Sequence, residues 1–526
     1  MRDYRSILKN NFDLILVLTL YSLLSVFFFS YYQYLINADG ISYIGIAQKY
    51  VAGDWSNAIN EYWGPLFSWL LIPFLLFNKT ALYPLFSAKI LSLIIGFFTI
   101  IGVERLSQNL GIERIFRVAV LFSLVPIVLY FAVASITPDL LVTCLLVYYL
   151  IVIFDPKYSN KLSNGIFCGI IGAAAYLTKT YALPFFCCSF CFFSLIYYFK
   201  STSTDKKRNI LKNFFLGIFI FFVISGVWIG TISDKYGHST IGTSTEYNHA
   251  LVGPTSQGHP MYYQGLLKPP NNSAVTVWED PSNLKMEQWS PFESISYFKY
   301  QLNIIGKNVL LIINYIENFS LFSILIIIFS LVFIFKPSSE DSKNKLTCLL
   351  VTIILYCGGY TLILVEMRYI YLICILLLLM AFYLLNIAFK QNILNVKIRN
   401  ILLMLLVISF IIPSTINLIQ TANMGEGAYD LSQTLKADYG LQGNIASNGK
   451  WEYSLDTSYY LNDKYYGITK NTTNANDLQR ELEDNNVSYY FVWDTNSDLQ
   501  FSDYKKITNG NMAGLTIYSR INHLSN

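Results

Sequence analysis

The chain has 526 residues, of which 54% are hydrophobic, 16% aromatic and only 13% charged, and its mean hydropathy is +0.43. That composition excludes a water-soluble enzyme of this size and fits an all-α polytopic membrane protein. The formal net charge of +4 is small and concentrated in short loops, so there is no basic stripe and nucleic acid is not an expected partner.

The N-terminus, MRDYRSILKNN ahead of apolar Phe12 to Tyr32, has the charge pattern of a signal peptide but no small-x-small cleavage site. An uncleaved first spanning helix is expected there. The next stretch, NADGISYIGIAQKYVAGDWSNAINEYWGP from Asn37 to Pro65, gathers carboxylates, aromatic rings and a short amphipathic pattern at a membrane boundary. As a helix, Gly40 to Ala52 puts Ile41, Ile44, Ala47 and Val51 on one side, an interfacial pattern with its apolar side in the bilayer. Asp39 opens this helix, either as its cap or as a carboxylate pointing into a pocket at headgroup depth.

Segments apolar enough to cross ~30 Å of hydrocarbon continue at about 82–102, 117–134, 139–154, 163–178, 182–199, 213–232, 309–335, 346–365, 369–389 and 400–419, eleven spans with the first. The runs 139–154 and 163–178 are short and depend on tilt, thinning or neighbouring helices. Phe67 to Phe77 is shorter still and carries Pro73, so it is expected to lie along the membrane. With that choice, the short loops on the N-terminal side hold 19 Lys and Arg, whereas the short segments on the other side hold four: Lys49, Lys79, Lys179 and Arg368. The positive-inside rule then makes the N-terminus cytoplasmic in a plasma membrane and puts Asp39, the loop from about Ser233 to Asn308 and the C-terminal tail outside.

That loop carries His238, His249 and His259 among many Gly, Pro and Tyr residues and reads as a structured cover with many turns. Beyond Thr421 the composition becomes that of a soluble protein. VSYYFVW and GLTIYSR read as strands and NDLQRELEDNN as a polar helix, so the expected organisation is a transmembrane domain, 1–420, and a small extracytoplasmic α/β module, 421–526. The module has 13 Asp and Glu against 8 Lys and Arg, which suits a glycan or partner better than anionic lipid. All eight cysteines lie in apolar runs, without metal-ligand spacing to a histidine and with no disulfide expected.

Three carboxylates, Asp39, Glu61 and Asp139, fall on the same outer surface as three cations, Lys89 near the outer end of the second span, Lys179 in LTKTY and Arg368 in EMRYIYL. Ionisable groups at membrane depth are costly and usually face a cavity where they function. In SITPDLL, Thr137 suits an N-cap, Pro138 the first helical position and Asp139 the first turn. Glu61 and His249 are the candidate ligands for a divalent cation.

An Asp opening an interfacial helix (ADGISYIGIAQKYVAGDW), an acidic-aromatic-Pro segment (EYWGPLFSWLL), TPDLL, LTKT and RYIYL, in this order over roughly residues 1 to 390, together resemble the polyprenyl-phosphate-sugar glycosyltransferases of the GT-C fold. The branch is that of the protein O-mannosyltransferases and the lipid A aminoarabinose transferase. Two positions depart from the family pattern: Gly40 stands where many relatives have the second carboxylate of a pair, and Tyr62 where a lysine often follows the Glu. The resemblance implies a sugar donor on a polyprenyl phosphate, embedded among membrane lipids, and a hydroxyl acceptor on a protein, lipid or polysaccharide. It implies Asp39 as general base in an inverting transfer, Lys179, Arg368 and Lys89 around the leaving phosphate, and Asp139 and Glu61 orienting hydroxyls. A transporter or flippase of lipid-linked sugars is the competing reading, although no half of the chain repeats the other. An inactive relative that binds glycans is a third.

Overall fold

Long helices form wherever the sequence is continuously apolar in the computed structural model, which describes residues 11–77, 80–470, 474–494, 499–508, 512 and 514–521. The N-terminal charges before residue 11, and Lys79, lie outside the described residues. Among the described residues, seven helices are long and apolar enough to cross a membrane: Phe12–Tyr32, Tyr83–Asn109, Arg114–Val133, Ala182–Lys200, Thr204–Tyr236, Met367–Lys390 and Val396–Gln420. Asp139–Ile153, Ser163–Thr178 and Ser323–Phe335 are shorter apolar helices, and Glu340–Tyr360 completes the bundle. The chain is a multi-pass membrane protein. Leu66–Leu75 is a ten-residue helix containing Pro73, about 15 Å long and so about half of what a crossing needs.

Burial sorts these helices. Every residue from Tyr371 to Ile387 is buried, because a helix apolar all round is stable only inside a bundle or in lipid. Phe12–Tyr32 and Val396–Gln420 sit at the periphery with most of their apolar surface outward. Ser163–Thr178 and Thr204–Tyr236 approach closely at Gly165 and Gly169, where an added Cβ would stand 2.3 Å from the carbonyl oxygens of Asn213 and Gly217. Small residues at helix contacts allow this approach.

Two expectations need correcting. The span expected at 309–335 is two helices, Ile295–Glu317 and Ser323–Phe335. The turn between them is held by side chains: Ser323 Oγ donates to the Ile316 carbonyl at 2.7 Å, and Ser320 and Ser409 share a hydrogen bond of 2.9 Å. The helix after Asn37 runs Ala38–Val51, and its apolar side is buried in protein rather than bilayer, with Ile41, Ile44 and Ala47 essentially inaccessible. Lys49, on the side expected to be polar, is buried in an ion pair with Glu279, and Glu279 also accepts from Val275 N at 2.7 Å. The loop that carries Glu279 folds over this helix through Ser244–Leu251 and the single turns Pro260–Tyr262, Val277–Glu279 and Pro281–Asn283.

The tail builds a five-stranded sheet in the order β2-β1-β3-β5-β4 from β1 Asn444–Ser447, β2 Lys464–Ile468, β3 Tyr489–Trp493, β4 Tyr504–Lys506 and β5 Leu515–Arg520. β1 pairs in parallel with β2 and β3 through crossovers containing the helices Trp451–Leu461 and Ala475–Asp484, and β5 pairs antiparallel with β3 and β4. Tyr460 Oη donates to the Tyr34 carbonyl, the Tyr34 and Tyr429 rings stack at 4.1 Å, and Tyr465 N donates to Val275 O at 2.7 Å. These contacts hold the sheet, the folded loop and the start of the Ala38–Val51 helix together at one end of the bundle.

Candidate active site

At that end lies a cavity of about 530 Å³ whose lining includes Asp39, Asp139, Lys179, Glu366 and Arg368. Asp39 is the second residue of its helix; Asn37 is the N-cap, so Asp39 caps nothing and its carboxylate is free for other partners. Oδ1 accepts from Trp278 Nε1 at 3.0 Å and Oδ2 from Arg368 Nη1 at 2.5 Å. Asp139 opens its helix after Pro138, which takes the N-cap position expected for Thr137, and accepts from Lys179 Nζ at 2.5 Å. Arg368 bridges the groups, with Nε 2.6 Å from Glu366 Oε2 and 3.9 Å from Asp139 Oδ2. Lys179 Nζ also sits 3.6 Å from the centroid of the Tyr369 ring, a cation–π contact that is strong where water is excluded.

Local backbone explains the convergence. The Ser163–Thr178 helix stops one residue before Lys179, which is extended at φ −153°, ψ 124°. Gly64 packs directly on that helix end, where a Cβ would lie 2.5 Å from the Thr178 carbonyl oxygen. Arg368 lies in the 3₁₀ turn Met367–Ile370, immediately before the buried Tyr371–Lys390 helix. Three carboxylates thus face two cations in a largely desolvated site, where each charge depends on its partners. Burial holds Lys179 below the usual lysine value, with Asp139 opposing.

The remaining sequence candidates lie elsewhere. Lys89 is fully buried on Tyr83–Asn109, donates only to Val133 O at 3.4 Å and is absent from the cavity lining. Expected at the leaving phosphate from its place near a span end, it is instead absorbed by helix packing. Glu61 is buried beside the cavity, with its Oε2 3.4 Å from His238 Nε2; burial raises its carboxyl pKa and His238 opposes that rise. His249 stacks on Trp289 at 4.4 Å and bonds Gln301 Oε1 at 3.0 Å, so Glu61 and His249 do not form the expected metal pair. Among the described residues, no three His, Cys, Asp or Glu side chains gather closely enough to hold a metal ion.

Sequence reasoning gave no role to Glu366, Trp278 or His259. Glu366 had a signal, two residues from Arg368; Trp278 and His259 had none, because they reach Asp39 only through the fold of the long loop. His259 lies 4.6 Å from Trp278 between ring centroids, and its Nδ1 accepts from Met261 N at 3.3 Å. Burial pushes its pKa down to about 4 against the pull of Asp39, so the ring is neutral at ordinary pH.

No protein-family model matches the chain, and no curated protein matches it in sequence. Solved structures do. ArnT from Cupriavidus metallidurans bound to undecaprenyl phosphate superposes with a TM-score of 0.56 at 11% identity, covering 97% of this chain and 98% of that one. The archaeal oligosaccharyltransferase AglB from Archaeoglobus fulgidus, in complex with an inhibitory peptide and a dolichol-phosphate, gives 0.55 at 12% identity, covering 92% of this chain and 70% of that one. At such identities the likeness is one of fold, and the fold is GT-C.

Proposed function

We propose that this chain is an integral membrane glycosyltransferase that moves a sugar from a polyprenyl phosphate to an acceptor hydroxyl, with inversion, at the outer face of the membrane. The observation that carries the reading is the meeting of Asp39, Asp139, Lys179 and Arg368 in one cavity of a GT-C fold. ArnT bound to undecaprenyl phosphate and AglB in complex with dolichol-phosphate support a lipid-phosphate donor. The 19-to-4 distribution of Lys and Arg between the two sets of short loops supports a cytoplasmic N-terminus. The shift to a soluble composition after Thr421 supports domains at 1–420 and 421–526.

The chemistry follows from which charges can exchange partners. A donor phosphate entering beside Lys179 and Arg368 competes with the carboxylates for both cations. As Arg368 turns toward phosphate, Asp39 Oδ2 loses its hydrogen-bond partner and is free to meet the acceptor hydroxyl, while Trp278 still holds the carboxylate's orientation. Asp39 then takes the acceptor proton as that oxygen bonds to the anomeric carbon. The bond from that carbon to the phosphate oxygen breaks, and polyprenyl phosphate leaves with the electron pair. Lys179 and Arg368 stabilise the charge it gains in a site of low dielectric. Transfer of radiolabelled sugar from a polyprenyl phosphate by the purified chain, compared with Asp39→Asn of equal thermal stability, tests the reading. Turnover lost with Asp39→Asn supports it, and undiminished turnover refutes Asp39 as the base.

A further inference from the structure

The C-terminal module does more than cover the bundle: Trp451 and Glu452, the first two residues of its Trp451–Leu461 helix, line the same cavity as Asp39. Trp451 stacks on His259 at 5.7 Å with the planes 12° apart, and Tyr262 meets Trp451 edge-on at 6.1 Å. His259 in turn contacts Trp278, which holds Asp39. A continuous aromatic wall therefore runs from the proposed base to the module. The lysine and arginine of the cavity lining, Lys179 and Arg368, both belong to the bundle, so the phosphate chemistry sits apart from this wall.

Two further observations mark the wall as built for a ligand. Tyr247 Oη and Trp451 Nε1 are shielded from solvent and have no hydrogen-bond partner among the described residues, and both residues line the cavity. Such donors are costly to leave unmet. Lys450, just before Trp451, is held in the left-handed region at φ 46°, ψ 50°, a strained conformation for a non-glycine residue. Its Nζ lies 2.6 Å from Asp494 Oδ2 and 5.0 Å from the centre of the Trp493 ring.

We propose that Trp451, His259 and Tyr262, with Glu452 at the rim, form the acceptor subsite, and that its occupant is a pyranose ring of a carbohydrate acceptor. The inference rests on the transferase reading above. The weakly positive C–H face of a pyranose lies well against the negative face of an aromatic ring. Its hydroxyls match a carboxylate acceptor at Glu452 and the unmet donors Tyr247 Oη and Trp451 Nε1. The neutral state of His259 keeps its ring available for stacking.

The test uses the full chain in lipid nanodiscs, radiolabelled undecaprenyl-phosphate hexoses and pentoses as donors, and methyl hexopyranosides or a Ser/Thr peptide as acceptor probes. Release of undecaprenyl phosphate is followed with and without acceptor. Methyl hexopyranosides are expected to accelerate release. Trp451→Ala is expected to raise their KM about tenfold. Trp451→Phe, which keeps a stacking ring but loses the N–H and part of the indole face, is expected to give an intermediate rise and reads the same contact should Trp451→Ala not fold. An unchanged acceptor KM in both variants, a rise confined to the donor KM, or acceleration by the peptide alone overturns the proposal. Wild type that releases no undecaprenyl phosphate from any donor overturns the transferase reading as well, so the two failures are distinguishable.

Discussion

Two polar cavities at opposite ends of the bundle use the same residue types differently. The cavity under the sheet, about 530 Å³, buries Asp139, pairs it with Lys179 and walls both with aromatic rings. The cavity at the other end, about 400 Å³, is bordered by Lys200, Lys206, Asp341 and Lys345. There the Lys345–Asp341 pair at 2.7 Å leaves the carboxylate side chain 70% exposed, against 3% for Asp139. Water already solvates the second set, so its charges are cheap to keep there. The first set is held against a desolvation cost, and charge kept under such conditions points to chemistry.

Substitutions at the two ends should separate these roles. Asp39→Asn is expected to reduce turnover by about 10²- to 10⁴-fold without loss of thermal stability, the contribution of general-base assistance. Loss of one cation, in Lys179→Ala or Arg368→Ala, should reduce kcat by about 10²- to 10³-fold. Arg368→Lys should not restore it, because one ammonium cannot bridge three carboxylates as a guanidinium does. Stability responds elsewhere: Lys49→Ala strands Glu279 in the interior and should cost about 3–5 kcal/mol in thermal or denaturant unfolding, whereas the double replacement Lys49→Met with Glu279→Leu should recover most of that loss.

His259 supplies a pH dependence of intermediate size. Its folded pKa of about 4 lies below the ordinary value near 6.5, so the unfolded chain binds the extra proton between those limits. Its contribution to stability is intact above about pH 6.5 and falls by roughly 1.4 kcal/mol per unit as pH drops toward 4. His259→Gln should flatten that slope in melting curves taken from pH 7 to 4.5. The smallest effects belong to the far end and to packing: Lys206→Ala and Lys345→Ala should leave turnover within about twofold, and Lys89→Met should do the same because Lys89 does not face the cavity.

Much of this was legible in the sequence, for reasons that also explain what was not. Apolar length located ten of the eleven expected segments as helices, of which seven are long and apolar enough to cross a membrane among the described residues, and the aromatic and β-branched runs VSYYFVW and GLTIYSR located β3 and β5. The eleventh failed because the turn after Glu317 is satisfied by serine side chains inside an apolar stretch, where neither a proline nor a glycine announces it. Rarity of charge at membrane depth singled out Asp39, Asp139, Lys179 and Arg368, which the fold brings to one cavity, and also Lys89, which lies outside that lining because a lysine stem of four carbons can be absorbed by packing. The aromatic wall was invisible, because Trp278, His259 and Trp451 come together only through tertiary contacts across about 190 positions of sequence.

The most direct measurement is a structure of the full chain in lipid with undecaprenyl phosphate added. The account predicts its phosphate within hydrogen-bond distance of Lys179 and Arg368, with the Arg368–Asp39 pair opened. Phosphate bound instead among Lys200, Lys206 and Lys345, with Arg368 still clamped on Asp39, would contradict it.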